Sequence, residues 1–401
     1  MNHINYDVAF APINGRLIKL SEQLGSILEK EGITSCILKT SIAGSELYGW
    51  NEQRTNINLP IVPIHPLYYE SPSNFIKDTI RTIKSTNSLK SNFKLPFKLL
   101  IVFMDRYADG GILTSVAKAN GIPTILFQEG FHARKNPYQI SLYGLACWLR
   151  SKILSPWFGG REGYRATYAV VWSERGLKED MLKLGRKHES VFVVGCPIPS
   201  VEIPKSLPPL NEPPVVMFSH QPFNPYFGTR SWNDLFYKEA IKSCFSNGYK
   251  VLFKPHPRFS SDKRYKNLKR KIEKIVVDNN GILDWANSKV ASEEFLINCD
   301  ALVTGNSVTA YTALRMGIPT FFIRTQYNRH PLLEELGAEE KIIYLYDWKE
   351  LGSILNKILM NEKNREFWFK NGLSVANILS GDDKFFKDNW LRTIKMILEK
   401  N

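Results

Sequence analysis

The sequence contains no run of about 18 consecutive apolar residues, so no membrane-spanning helix is read from it. Met1–Phe10 carries no cationic leader followed by an apolar segment and a cleavage site, so no secretory signal is read either. Cysteine is scarce. The five, Cys36, Cys147, Cys196, Cys244 and Cys299, are odd in number and show no CxxC spacing. That argues against a disulfide framework and for reduced thiols in a cytoplasm. Zinc-ligand spacing, a GxxxxGK[ST] phosphate loop and a GxSxG nucleophile elbow are all missing. So are internal repeats, low-complexity tracts, a helix-turn-helix and RNP-type aromatic motifs. The net charge of +14 therefore points away from nucleic acid and towards phosphate-bearing substrates or an anionic membrane leaflet.

What is present suits a large folded protein. Apolar residues make up 43% of the 401, enough for two buried cores at about 100–200 residues per domain. Short apolar runs alternate with longer amphipathic ones, the pattern of βα units on a parallel sheet. In the first half, strands are predicted at Tyr6–Ala11, Ile33–Leu38, Leu99–Met104, Thr124–Phe127, Tyr168–Trp172 and Val191–Val194. Helices are predicted at Leu17–Lys30, Gly111–Asn120 and Glu174–Leu184. Gly32 stands where a helix C-terminal stop is expected. Val194–Pro214 then holds seven prolines, a density that neither helix nor central strand tolerates. The rhythm restarts with strands at Val215–Ser219, Tyr249–Lys254, Ala301–Thr304 and Thr320–Ile323. Helices are expected at Trp232–Asn247 and Ser307–Met316, and three more close the chain, Trp348–Met360, Lys363–Leu379 and Asp383–Glu399.

The predicted fold is α/β, of GT-B type: two Rossmann-like, doubly wound domains facing across a cleft. Residues 1–195 form the N-terminal, acceptor domain and 196–214 a proline-rich linker. Residues 215–380 form the C-terminal, nucleotide-donor domain, and 381–401 a last helix, with a return to the first domain left open. Ligands of doubly wound sheets bind beyond the carboxyl ends of the strands, so residues just after strands are the candidates for chemistry.

Five stretches meet that condition. Phe127-Gln128-Glu129-Gly130-Phe131-His132 follows a strand, and Glu129 there is either a general base or a surface acid in a turn. His132 and Arg134 follow it on the acceptor side, and an arginine partner would lower the pKa of Glu129. Phe253-Lys254-Pro255-His256-Pro257-Arg258 ends another strand. Two prolines stiffen its loop, and Lys254, His256 and Arg258 suit a phosphate; the alternative is a turn with solvated charges. Thr304-Gly305-Asn306-Ser307-Val308-Thr309 leads into a helix, where Asn306, Ser307 and Thr309 meet an anion or simply cap the helix. Phe218-Ser219-His220-Gln221 would line the cleft floor, with Ser219 and Gln221 as donor contacts. Ala11-Pro12-Ile13-Asn14-Gly15-Arg16 places Asn14 and Arg16 towards an acceptor. Asp105 and Asp109 lack a third ligand, so no metal is assigned, and Asp109-Gly110-Gly111 is read as a turn with a helix cap. The aromatic and basic segment Tyr138–Phe158 is read as a helix packed on its own domain, with a membrane surface as the alternative.

Together these stretches resemble the GT-B glycosyltransferases of bacterial capsule and surface-polymer synthesis, the group of polysialyltransferases, capsule Kdo transferases and CDP-glycerol glycerophosphotransferases. Polysialyltransferases carry an acidic-acidic-Gly motif, matched by Glu129-Gly130 with Gln128 in place of the leading acid. Their His-Pro motif is matched by His256-Pro257, and their Ser/Thr motif, loosely, by Ser307 with Thr309. Val171-Trp172-Ser173-Glu174-Arg175-Gly176 and Val194-Gly195-Cys196-Pro197 are similar to that group's framework; Ser41–Asn92 has no counterpart. The resemblance implies an inverting, metal-independent transfer from a nucleotide sugar, CMP-linked ahead of UDP-linked, to a glycan or glycolipid acceptor. Glu129 would be the base, His256 with the Ser/Thr loop would hold the donor phosphate, and His256, with Lys254 or Arg258, would act catalytically by stabilising the charge that grows on the leaving phosphate. It implies no cofactor and no nucleic acid partner, and a cytoplasmic chain with contact to the inner face of the membrane left open. Two rival readings stand beside it: a non-hydrolysing UDP-N-acetylglucosamine 2-epimerase on the same fold, and a non-catalytic nucleotide- or glycan-binding scaffold.

Overall fold

A computed structural model describes residues 5–12, 15–40, 58–64, 95–103, 108–128, 165–175, 177–183, 185–197, 204–220, 230–256, 263–287, 290, 292–305, 307–323, 343–345, 347–380 and 383–400. The chain divides into two compact units. The first takes the described residues up to Gln128, those from 165 to 197, and Asp383 onward. The second takes those from 204 to 380.

The first unit is a seven-stranded, all-parallel sheet. Its strands are β1 (Tyr6–Ala11), β2 (Ser35–Thr40), β3 (Ile61–Ile64), β4 (Phe97–Val102), β5 (Thr124–Phe127), β6 (Tyr168–Val171) and β7 (Val191–Val193), in the order β3-β2-β1-β4-β5-β6-β7. Helices cover both faces, which is why the strands read as unbroken apolar runs and not as alternating ones. The alternation is one of faces. Ala9, Leu100, Val102, Leu126 and Ala169 pack towards α2 (Ala108–Ala119) and, through Met181, towards α3 (Leu177–Lys183). Val8, Phe10, Leu99, Ile101, Ile125 and Val170 pack towards α1 (Gly15–Glu29) and towards the C-terminal helix, Asp383–Glu399. The last of these is anchored by Trp390. It is wholly buried, packs edge-on against Phe127 at 5.5 Å, and donates its indole N–H to the Leu24 carbonyl at 3.3 Å.

Two local expectations change. The helix after β4 begins at Ala108, so Asp109-Gly110-Gly111 forms its first turn and not a turn before it. An acidic residue is favoured in that first turn. The strand Ile61–Ile64 had no sequence signal because Pro63 interrupts it. It stands at the sheet edge, where a missing N–H costs no ladder bond.

The second unit holds a six-stranded parallel sheet: β8 (Val215–Ser219), β9 (Lys250–Lys254), β10 (Leu283–Trp285), β11 (Ala301–Thr304), β12 (Thr320–Ile323) and β13 (Ile343–Leu345), ordered β10-β9-β8-β11-β12-β13. The chain starts in the middle, winds outward one way and then the other, so the order reverses between β8 and β11. That reversal opens a crevice at the carboxyl ends of these two strands. One face of the sheet, with Val216, Phe218, Val251, Phe253, Val303 and Phe321, packs on α4 (Arg230–Ser246) and α5 (Lys263–Asp278). The other, with Met217 and Leu302, meets α6 (Glu293–Leu296) and α7 (Thr309–Arg315). Helices α8 (Leu351–Leu359) and α9 (Glu362–Ser380) complete the unit, and the C-terminal helix is α10.

Helix ends follow the sequence closely. Gly32 has φ 75° and ends α1 with its N–H on the Glu29 carbonyl, so Ile33 leads straight into β2. Gly317, φ 69°, does the same between α7 and β12. A Cβ there would lie 2.1 Å from the Phe369 ring, so glycine is required twice over. Where described, the proline-rich stretch is held by the second unit. Asp300 accepts from the backbone N–H of Asn211 at 3.2 Å and of Val215 at 2.7 Å.

Candidate functional site

The register of the second sheet places Ser219 beside Lys254 on one side and beside Thr304 on the other. These three residues end the central strands β9, β8 and β11 in a row, at the crevice. His220 follows Ser219 and donates its backbone N–H to the Lys254 carbonyl at 2.9 Å, extending the β8–β9 pairing by one residue. The loop after β9 continues through Pro255 to His256, which is half-buried.

Lys254 is the most consequential of these side chains. It is 3% exposed. Among the described residues its ammonium touches one oxygen, the Pro255 carbonyl at 3.5 Å, and stands 6.0 Å from the Phe295 ring. Burial pulls its pKa from 10.5 down to about 8, and the nearby Glu293 carboxylate, on α6, offsets part of that. A cation left this dry is positioned for an anion that supplies what water no longer does.

His220 is likewise 6% exposed, wedged between the Tyr237 ring at 5.1 Å and the Phe253 ring at 5.7 Å. Burial, then the neighbouring His256, lowers its pKa to about 3, so the imidazole is neutral at any physiological pH. It therefore supplies hydrogen-bonding capacity and shape under the His256 loop but no charge. On the other side of the crevice, Ser307 accepts the Thr309 backbone N–H at 3.3 Å and shares a 3.1 Å hydroxyl contact with Thr309 Oγ1. Val308 occupies the N-cap position of α7 with no side-chain cap, so Ser307 forms a local turn just ahead of the helix in place of the predicted cap. Thr304, wholly buried, keeps its hydroxyl without a partner among the described residues.

The structure therefore brings together Ser219, Lys254, His256, Ser307 and Thr309 of the predicted donor residues. His220, Thr304 and Glu293 join them. The first two were visible in sequence only as neighbours of named residues, and Glu293 gave no signal because only the tertiary fold carries α6 to the end of β9. Glu129, Gln221, Arg258, Asn306, Asn14, His132 and Arg134 lie outside the described residues, as do Asp105, Cys147 and Tyr138–Phe158. Arg16 is placed only by its backbone, in α1. Among the described residues no group of three His, Cys, Asp or Glu is arranged to hold a metal. No described helix is long and apolar enough to cross a membrane. Cys36, Cys196, Cys244 and Cys299 are buried free thiols.

Gln128 explains its own departure from the acidic-acidic-Gly pattern. It is 4% exposed, and its side-chain oxygen accepts the Trp172 backbone N–H at 2.8 Å. Its backbone carbonyl accepts the Trp172 indole N–H at 2.9 Å. A neutral amide makes these bonds without burying a charge, and it fixes the end of β5 one residue before Glu129.

Residues 204–308 match the model of the alpha-2,8-polysialyltransferase (POLYST) family, a stretch that runs from the proline-rich segment through β8, β9 and β11 to Ser307 and Val308. No curated protein matches the chain in sequence. Solved structures resemble it over nearly its whole length. One is a putative UDP-N-acetylglucosamine 2-epimerase from Listeria monocytogenes, 15% identical, covering 99% of this chain and 97% of that one, with a TM-score of 0.66. A glycosyltransferase from Rickettsia africae ESF-5 is 10% identical, covering 99% and 100%, with a TM-score of 0.60. Anabaena Alr3699/HepE, solved in complex with UDP-glucose, is 11% identical, covering 98% and 100%, with a TM-score of 0.60. At such identities the likeness is one of fold, and the fold is GT-B. The family match is confined to the second unit, across β8, β9 and β11.

Proposed function

We propose that the chain transfers a sugar from a nucleotide-activated donor, cytidine-based ahead of uridine-based, to a glycan or glycolipid acceptor, with inversion and without a metal or other cofactor. The observation that carries this reading is the buried Lys254 ammonium at the end of β9, beside His256 and inside the stretch matched by the polysialyltransferase family. The donor phosphate would lie at the ends of β8, β9 and β11, met by Lys254 and His256 on one side and by Ser307 and Thr309 on the other. Ser219, Gln221, Asn306 and Arg258 would complete the donor contacts.

In the reaction, the acceptor hydroxyl loses its proton to the Glu129 carboxylate as its oxygen bonds to the anomeric carbon. The bond from that carbon to the donor phosphate breaks, and its electron pair leaves with the nucleotide. Negative charge therefore grows on the phosphate oxygen, where the preorganised ammonium of Lys254 is worth several kcal/mol of barrier, as oxyanion donors are elsewhere. Asn14, Arg16, His132 and Arg134 are assigned to the acceptor. Attack from the side opposite the leaving phosphate gives inversion.

Thermal shift against CMP, CDP, UDP, GDP and ADP tests the donor class. A ligand at about a hundred times its Kd stabilises the native state by about 2.7 kcal/mol. Stabilisation by CMP or CDP above UDP is expected. A clear shift with GDP or ADP and none with the pyrimidine nucleotides overturns the reading.

A further inference from the structure

We propose that the outer face of α5, with the turn that follows it, docks the chain on an anionic lipid bilayer. The inference is independent of the reading of the nucleotide site. Helix α5 carries seven cations against two acids in sixteen residues. Its inner face is spent on the core: Leu268, Ile272 and Ile275 are buried in the apolar cluster beneath the sheet. On the opposite side Lys266, Arg270 and Lys274 are exposed. At about 100° per residue these three and Val277 fall within a stripe about 80° wide, and it runs about 17 Å along the helix. Among the described residues no acid pairs with Lys266, Arg270 or Lys274. Glu273, at the edge of the stripe, is 3.8 Å from Lys269.

A solvated charged face explains lysines and arginine but not what ends this stripe. Val277 is 80% exposed and Ile282 52% exposed. One tight turn separates them. Asn280 adopts φ 49°, and Gly281 donates its N–H to the Val276 carbonyl at 2.9 Å, so the turn is fixed by the backbone. Cations in a row with two aliphatic side chains held at its end match the layers of a bilayer surface: lipid phosphates outermost and hydrocarbon just beneath. A soluble acidic glycan or nucleic acid would engage the cations and leave the aliphatics in water. The chain's net charge of +14 adds long-range attraction to the same partner.

Co-sedimentation of the full chain with vesicles tests this, using phosphatidylcholine alone and phosphatidylcholine with about 30% phosphatidylglycerol, anionic lipid being the source of the attraction. Wild type is expected to bind the anionic vesicles, to ignore the neutral ones, and to be released by high salt. The triple variant Lys266→Glu, Arg270→Glu, Lys274→Glu should partition at least about a hundredfold more weakly, given the attraction of each cation near an anionic surface and the repulsion that each added carboxylate brings. Val277→Ser with Ile282→Ser should weaken partitioning about tenfold while leaving the cations in place. The milder triple change to glutamine reports the same trend if charge reversal prevents folding. Wild type that ignores anionic vesicles overturns the proposal. So do vesicle binding unchanged in the triple variants, and a triple variant that keeps vesicle binding while losing retention on polygalacturonate, which would assign the stripe to acidic glycans.

Discussion

Replacing Lys254 by methionine should make the ligand-free protein more stable and a worse nucleotide binder at once. The side chain is 3% exposed, and its pKa falls from 10.5 to about 8. At about 1.4 kcal/mol per pH unit, keeping that ammonium protonated and dry costs the apo protein up to about 3 kcal/mol at pH 7. Methionine keeps the length and apolar stem and removes the cost, so the melting temperature should rise by about 5–10 °C for a unit of this size. The pH dependence identifies the cause. Below pH 8 the lysine is charged in both folded and unfolded chains and the advantage of methionine is full. Between pH 8 and 10.5 the folded lysine is neutral while the unfolded one is still protonated, so the wild type recovers and the advantage decays to nothing. Burial also pushes the Cys36 and Cys299 thiols up to about 12, which destabilises the fold as pH rises, but both are common to the two proteins and cancel in the difference. Loss of a charge-assisted contact to phosphate should weaken CMP binding about 10- to 100-fold. Paired melts from pH 6 to 10.5, with calorimetric titration of CMP, make the test. A variant that is less stable than wild type and binds CMP equally well would refute the reasoning and make Lys254 a structural cation.

His256→Ala should leave the melting temperature of this half-buried position near wild type while weakening CMP binding by about 1.5–3 kcal/mol, read by the same titration. Unchanged affinity would reduce His256 to a turn residue. Gln128→Glu should destabilise the fold by about 1–3 kcal/mol at pH 7 in chemical denaturation, because it buries a carboxylate and loses the amide donor, and the loss should shrink as the pH falls through the carboxyl's titration. Transfer should persist in EDTA. Abolition by chelation and rescue by Mg²⁺ would return Asp105 and Asp109 to consideration as ligands.

Most of the fold was legible because both sheets are parallel and covered on both faces. Their strands, such as Leu99–Met104 and Thr320–Ile323, therefore read as short apolar runs between amphipathic stretches. Three edge strands were not legible: Pro63 broke the signal of β3, and Leu283–Trp285 and Ile343–Leu345 are three residues each, whereas the equally short edge strand β7 was read because Val191–Val194 is an unbroken apolar run. The helix Lys263–Asp278 was not legible because its buried residues, Leu268, Ile272 and Ile275, are few among cations. For the site, position after a strand located Ser219, Lys254 and His256. Glu293 escaped because its proximity to Lys254 belongs to the tertiary fold alone. The neutrality of His220 also needed the structure, since it comes from the Tyr237 and Phe253 rings around it.

Glycosyl transfer itself is tested most directly by following a CMP-activated sugar by ³¹P NMR, with and without a capsular oligosaccharide acceptor, for wild type and Glu129→Gln. The account predicts that wild type releases CMP only when acceptor is present, with the sugar recovered on the acceptor in inverted linkage. Glu129→Gln should bind CMP normally and release it about 10²–10⁴-fold more slowly, the range of general-base catalysis. Conversion of UDP-N-acetylglucosamine to its 2-epimer without any acceptor, and no acceptor-dependent release from CMP-, UDP- or GDP-sugars, would contradict it.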